Sequence, residues 1–305
     1  SSDLTKTFGD FNALENLSCT IQDSCIYGMV GSNGSGKSTL LRVLSGVYRP
    51  EKGRVIMDGS DVYENPSAKA RLAYVSDELY FASGASISSM ASIYRSLYKN
   101  FNDNKLKMMA GELNLDMKKS ISTFSKGMKR QAATILALAT EPDYIFFDET
   151  FDGLDPIIRN FVKQLIITEM NERSSSAIIT SHSLRELEDT CDQLALLHRG
   201  GIVLESDIGD LKTSHFKVQI AFDHDFSQDA FKGLNISRFK KNGSVANMIV
   251  SGSREMTAAY LQGMDPLLLD ILPLSLEEVF TYELRDLGYE FDIDEIAERE
   301  ERANA

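Results

Sequence analysis

No stretch of this 305-residue chain approaches the roughly 18 uninterrupted apolar residues that a membrane span requires, so the chain does not cross a bilayer alone. A basic surface is lacking too. Thirty-two Lys and Arg stand against 45 Asp and Glu, a formal charge of −13, and residues 277–305 alone hold 11 acids against Arg285, Arg299 and Arg302. The rest of the chain carries about −5, which argues against nucleic acid or an anionic lipid surface as the main partner. Cysteine is scarce: Cys19, Cys25 and Cys191 show no CxxC spacing and no clustering with His. Neither a disulfide framework nor a zinc site is indicated, and a reducing cytosol fits. The sequence opens at Ser1-Ser2 without an initiator Met or an apolar leader, so the expectation is a trimmed start and no secretion. Repeats and low-complexity tracts are absent. What remains is ordinary globular composition, 43% hydrophobic and 25% charged, in a length that suits one large domain or a domain with an appendage.

Short apolar runs rich in β-formers alternate with segments at helical spacing. Cys25–Val30, Leu72–Val75, Tyr144–Phe147, Ala177–Thr180 and Leu194–Leu197 read as strands, and Lys37–Ser45, Ser86–Tyr98, Lys126–Ala139, Pro156–Glu172 and Leu184–Asp189 as helices. This order predicts an α/β fold whose sheet is mostly parallel, with ligands at strand C-termini. The segment Gly53–Gly59 reads as a hairpin arm that makes the sheet mixed near its N-terminal edge. Between Leu79 and Thr140 no convincing strand stands out, which predicts a helical insertion. After Ser206 the pattern restarts: His215–Phe222 and Ser244–Val250 read as strands, Gln228–Lys232 and Arg254–Leu261 as helical, with a boundary near Leu211–His215. Pro266 and Pro273 interrupt the next stretch of chain, Leu276–Leu287 reads as a helix, and the acidic end as a solvated helix or tail.

The strand ending at Val30 runs into Gly31-Ser32-Asn33-Gly34-Ser35-Gly36-Lys37-Ser38-Thr39, a G-x-x-x-x-G-K-S loop between a strand and a helix. Glycines let backbone N–H groups turn inward around phosphates, the helix presents its positive end, and Lys37 can reach the β and γ oxygens. Ser38 would ligate Mg²⁺. A second anchor comes after Tyr144-Ile145-Phe146-Phe147: Asp148 at the strand end can order the Mg²⁺ shell, and Glu149 one step on can polarise an attacking water.

The segment Phe124-Ser125-Lys126-Gly127-Met128, ahead of the Asp148 strand, resembles the L-S-G-G-Q signature of ABC transporter ATP-binding subunits, with Ser125 and Gly127 matching. The resemblance covers nearly all of residues 3–212. Ser125 would cap a helix whose N–H groups could hold an anion, and in the family that anion is the γ-phosphate bound by the opposite subunit. Phe8, in Lys6-Thr7-Phe8-Gly9, resembles the aromatic that stacks on adenine, although an N-terminal Phe also suits a core. Asp155, in Gly153-Leu154-Asp155-Pro156, resembles the residue facing the partner's phosphate site, and His182 resembles the switch histidine. Where the family has Gln after the Leu72–Val75 strand, this chain has Asp77-Glu78. Asp77 would either face Mg²⁺ or cap the next helix. Thr150 stands where the family usually has Pro.

The resemblance implies an ATP-hydrolysing domain over residues 1–212, with its helical insertion at about 78–140, and an accessory domain with an acidic tail over 213–305. It implies catalytic Glu149, His182 and Lys37, and ATP and Mg²⁺ as ligands. As partners it implies a second ATP-binding subunit and separate transmembrane permease subunits at the cytoplasmic face of the membrane. The Ser125–Lys129 variant and the ending Leu276-Glu277-Glu278-Val279-Phe280 are similar to the bacterial bacitracin-exporter branch, which implies export of peptides or amphipathic drugs. The rival reading is a soluble switch on DNA or ribosomes built on the same domain. Such proteins generally carry two cassettes or long heptad arms, and this chain has neither.

Overall fold

A computed structural model describes residues 1–286, and the acidic end beyond them, read as a solvated helix or tail, lies outside the described residues. The described residues form two compact units that divide between Glu205 and Ser206. This division falls a few residues before the 212/213 boundary read from the sequence. The helix Ile208–Ser214 packs against the helix Leu276–Asp286, so it belongs with the second unit.

The first unit is organised by a six-stranded sheet in the order Gly201–Asp207, Gln193–His198, Ile26–Val30, Ser176–Ser181, Tyr144–Asp148, Leu72–Val75. The last five pair in parallel. Every residue of Ile26–Val30 and of Ser176–Ser181 is buried, which is why these strands read as continuous apolar runs rather than alternating ones. The sixth strand is joined to its neighbour through Arg199 and Gly200, both at positive φ, 48° and 80°, and this tight turn reverses the chain. The mixed character of the sheet therefore comes from Gly201–Asp207. The Gly53–Gly59 segment does turn back on itself, but elsewhere: Ile56–Met57 pairs with Ser60–Asp61 around Asp58 and Gly59. Lys52–Arg54 joins a separate three-stranded sheet with Ser2–Phe8 and Phe11–Leu17.

Leu4, Leu14, Tyr27, Met29, Leu40 and Leu41 form the heart of the core between this small sheet, the helix Lys37–Leu44 and the main sheet. On the Tyr144–Asp148 strand, Phe147 is 0% exposed. Phe147→Ala should lower unfolding stability by about 3–5 kcal/mol, read as a shift of the urea midpoint; a loss within measurement error would show that this strand does not lie in the core.

Residues 78–140 hold the helices Ile87–Leu97, Asp103–Glu112 and Lys126–Leu138, and their β-structure is limited to one isolated bridge between Ser86 and Ser120. The predicted helical insertion is thus present. Asp77 does not cap the following helix: Ser86 does, accepting from Ser89 N–H at 3.2 Å while the Ser89 hydroxyl accepts from Ser86 N–H at 2.9 Å.

The second unit is a four-stranded antiparallel sheet in the order Asn235–Asn242, Val245–Ser251, His215–Ala221, Leu268–Pro273. Phe216, Val218, Ile220, Met248, Val250 and Leu261 fill its core, with Leu261 supplied by the helix Arg254–Gln262. Leu268–Pro273 corrects the reading of an interrupted segment. The strand sits at the sheet edge, where Pro removes no ladder hydrogen bond. The helix Leu276–Asp286 is tied down through His215, whose ring stacks on Tyr282 and lies 3.3 Å from Glu283 Oε1.

Candidate active site

The loop after Ile26–Val30 turns with Gly34 at φ 80° and Gly36 at φ 109°, conformations that a side chain would strain. Nothing lies within 4 Å of where a Cβ of Gly34 would stand, and Gly34 lines an open cleft. Lys37 opens the helix yet points back under the loop. Its Nζ donates to Gly31 O at 2.7 Å and Ser32 O at 3.2 Å, and lies 3.5 Å from Glu149 Oε1. With 4% exposure this ammonium is held under the loop by acceptors alone. The cleft above is lined by Asn33, Gly34, Gly36, Lys37, Ser38 and Thr39 together with Phe11, Ala13, Asp77 and Glu149. Ser35 Oγ is buried beneath the loop without a partner.

Asp148 lies under Ser38, fully buried, and accepts three hydrogen bonds: from Ser38 Oγ at 3.0 Å and Thr180 Oγ1 at 2.8 Å on one oxygen, and from Tyr74 OH at 3.0 Å on the other. Burial pushes its carboxyl above the ordinary range, and these three hydrogen bonds pull it back. Burial and the neighbouring Asp148 push the Tyr74 phenol up, so it stays a donor. The Thr180 hydroxyl also accepts from Glu149 N–H at 3.0 Å. Glu149 itself holds φ 47°, an uncommon conformation for a residue with a side chain. Thr180 and Tyr74 were not singled out from the sequence, because each reaches Asp148 from a neighbouring strand.

Oxygen donors at one point, Ser38 Oγ and the Asp148 carboxylate, suit a hard cation such as Mg²⁺, which prefers one or two protein oxygens plus substrate phosphates and water. Asp77 lines the same cleft, but its Oδ1 is engaged by Arg42 Nη2 at 3.2 Å and Ser76 Oγ at 3.0 Å.

A second group of sequence-marked residues lies together, apart from this cleft. Ser125 caps the Lys126–Leu138 helix, accepting from Met128 N–H at 3.2 Å. A Cβ on Gly127 would meet Gly153 O at 3.3 Å, so the helix start is packed on the Gly153–Asp155 turn. Lys126 and Arg130 both reach Asp152, at 2.9 and 3.6 Å. Asp155 caps the helix Pro156–Arg173 through Ile158 N–H at 3.1 Å, with Pro156 at its first position. His182 is exposed on the turn after Ser176–Ser181. Ser125, Gly127, Asp155 and His182 are not among the residues that line the cleft over Lys37.

Phe8 is 46% exposed, packs edge-to-face on Tyr48 with ring centroids 5.5 Å apart, and does not line the cleft. Its cross-strand partner Phe11, 60% exposed, does. The Gly9-Asp10 turn brings both rings to one hairpin tip.

Residues 14–152 match the ABC transporter family. The chain is 30% identical over 277 residues to the ABC transporter ATP-binding protein YtrB of Bacillus subtilis, covering 91% of this chain and 94% of that one. It is 30% identical over 222 residues to the bacitracin transport ATP-binding protein BcrA of Bacillus licheniformis, covering 71% and 72%. Among solved structures, a dimeric ATP-binding cassette in a post-hydrolysis state with ADP and phosphate superposes with a TM-score of 0.61 at 18% identity, over 68% of this chain and 97% of that one. That likeness bears on the fold.

Proposed function

The chain belongs to the family of ABC transporter ATP-binding subunits, and on that premise we propose how its residues divide the work of ATP hydrolysis and what the transporter carries. As a member it binds ATP and hydrolyses it. The observation that carries the assignment of roles is the convergence of Lys37, Ser38, Asp148 and Glu149 at the C-terminal ends of two parallel strands, beneath one open loop.

On ATP binding, inward N–H groups of Gly31–Thr39 cradle the phosphates, and Lys37 exchanges its carbonyl and Glu149 contacts for the β and γ oxygens. That exchange frees Glu149 to accept a proton from water as the water oxygen bonds to the γ-phosphorus, the bond to the β–γ bridging oxygen breaks, and ADP and phosphate leave. Ser38 and Asp148, with Asp77 in the same cleft, would hold Mg²⁺, which when bound neutralises charge developing on the phosphate oxygens. Thr180 fixes Asp148 and the Glu149 backbone together, so the metal anchor and the base keep one spacing. Phe11, with Phe8 opposite, receives the adenine. Ser125, Gly127 and Asp155 serve the nucleotide of a second copy, and His182 senses its own γ-phosphate.

The transporter is an exporter of peptides or amphipathic drugs, with separate permease subunits supplying the membrane path. The similarity to the bacitracin transport protein supports this cargo class, and among the described residues no helix is long and apolar enough to cross a membrane. Mg²⁺-dependent ATPase activity of the purified chain, and recovery of a multi-span membrane protein with a tagged copy from detergent-solubilised membranes, test the two halves. Recovery with ribosomes or DNA instead would overturn the transport reading.

Asp77 is tested by ATPase rate against Mg²⁺ concentration. If its carboxylate faces the metal, Asp77→Asn should raise the Mg²⁺ requirement and lower turnover, and Asp77→Gln should keep more activity than Asp77→Ala. Identical curves for all three variants and wild type would remove Asp77 from the site and leave only its pairing with Arg42.

A further inference from the structure

We propose that Arg159 and Glu186 are positioning residues that lock the turn carrying Asp155 to the turn carrying His182, so that the two turns move as one during the ATPase cycle. The proposal rests on the ATPase reading and adds to it a device inside one chain.

The link is continuous. Ser181 Oγ donates to Glu186 Oε2 at 2.6 Å and accepts from Ser183 N–H at 2.9 Å. One buried hydroxyl therefore fixes the backbone on both sides of His182. The other oxygen, Glu186 Oε1, lies 3.3 Å from Arg159 Nη1. Arg159 Nη2 in turn donates to Leu154 O at 3.2 Å, the residue before Asp155, and Arg159 N–H donates to Asp155 O at 2.8 Å. Arg159 thus grips the Asp155 turn through its side chain while its charge holds Glu186.

Glu186 is 9% exposed, and a carboxylate at that depth is costly unless paired. A second basic side chain lies on the same helix. Lys163 lies one helical turn beyond Arg159, is 7% exposed, and rests its ammonium 5.6 Å from the ring centre of Phe151. Burial pushes its pKa down, against the pull of Asp189 and Glu186. Phe151 belongs to the turn that runs from Glu149 to Asp155. Arg159 through Leu154 O and Lys163 through the Phe151 ring are therefore both seated on the segment that follows the proposed base. A pair needed only for folding could bridge any two elements. This one ends on the backbone atoms that flank two site residues, and its parts shift together or break.

The test is a set of double-mutant cycles on kcat and KM for ATP. Glu186→Gln keeps an oxygen acceptor for Ser181 but removes the charge that holds Arg159, and Ser181→Ala, a small change, breaks the same link at its other end. Each should lower kcat about three- to thirtyfold with KM for ATP within about twofold. Each should also cost less than half as much, on a logarithmic scale, in the His182→Ala and Asp155→Ala backgrounds as in wild type. Arg159→Lys should retain more kcat than Arg159→Ala. Full additivity in either background, or wild-type kcat in a folded Glu186→Gln or Ser181→Ala variant, would overturn the coupling. A wild-type chain without ATPase activity would instead sink the underlying ATPase reading, so the two failures are distinct.

Discussion

Glu149→Gln should slow ATP hydrolysis by on the order of 10²–10⁴-fold while leaving ATP bound. Glu149 is the carboxylate one step beyond the buried Asp148, and its Oε1 lies 3.5 Å from Lys37 Nζ at the mouth of the phosphate cleft. Gln keeps the size and the backbone contact to Thr180 but has no charge with which to take a proton. ATP binding, which depends on the loop and Lys37, is spared. The ATP-bound form should then accumulate as a dimer on size-exclusion chromatography. Single-turnover hydrolysis at the wild-type rate would show that another group activates the water.

Ser125→Arg should leave ATP binding to the monomer intact and abolish turnover. Ser125 caps the Lys126–Leu138 helix, is exposed, and lies outside the cleft lined by Lys37. Arg there costs about 1 kcal/mol of helix capping, too little to unfold a chain whose helix is buried from Arg130 onward. Its larger effect is expected to be steric, at the surface proposed above to meet a second copy. Equilibrium binding of a fluorescent ATP analogue beside steady-state ATPase rates separates the two: weakened analogue binding in the isolated variant would place Ser125 at its own chain's nucleotide.

Local order explains what was legible in the sequence. The strands Ile26–Val30, Leu72–Val75 and Tyr144–Asp148 read correctly because burial on both faces leaves unbroken apolar runs. The phosphate loop read correctly because strand, loop and helix are contiguous. The Ser2–Phe8 and Phe11–Leu17 strands left little trace, since they bury only Leu4, Ala13, Leu14 and Leu17 among exposed and charged neighbours. Leu268–Pro273 was hidden by the prolines at 266 and 273, which an edge strand tolerates. In the site, Asp148 was legible and its supports were not. Tyr74 and Thr180 lie 74 and 32 residues away in sequence and meet Asp148 only through strand order. A polar residue near the end of a buried strand, as Thr180 is, was the available signal. Which ring reaches the cleft, Phe8 or Phe11, depends on the Gly9-Asp10 turn, and no periodicity encodes that.

On the reading proposed above, a second copy completes the site at which the chain hydrolyses ATP. Mixing Ser125→Arg protein with Lys37→Ala protein tests it most directly. Lys37→Ala removes the ammonium proposed to meet the phosphates, so each parent alone should be inactive. In a mixed dimer the intact Lys37 of one chain faces the intact Ser125 of the other, and one of two sites is whole. With random pairing and independent sites, ATPase activity of the equimolar mixture should recover to roughly a quarter of wild type. If the mixture stays as inactive as its parents while ATP-driven dimerisation of Ser125→Arg alone is normal, the shared site is contradicted.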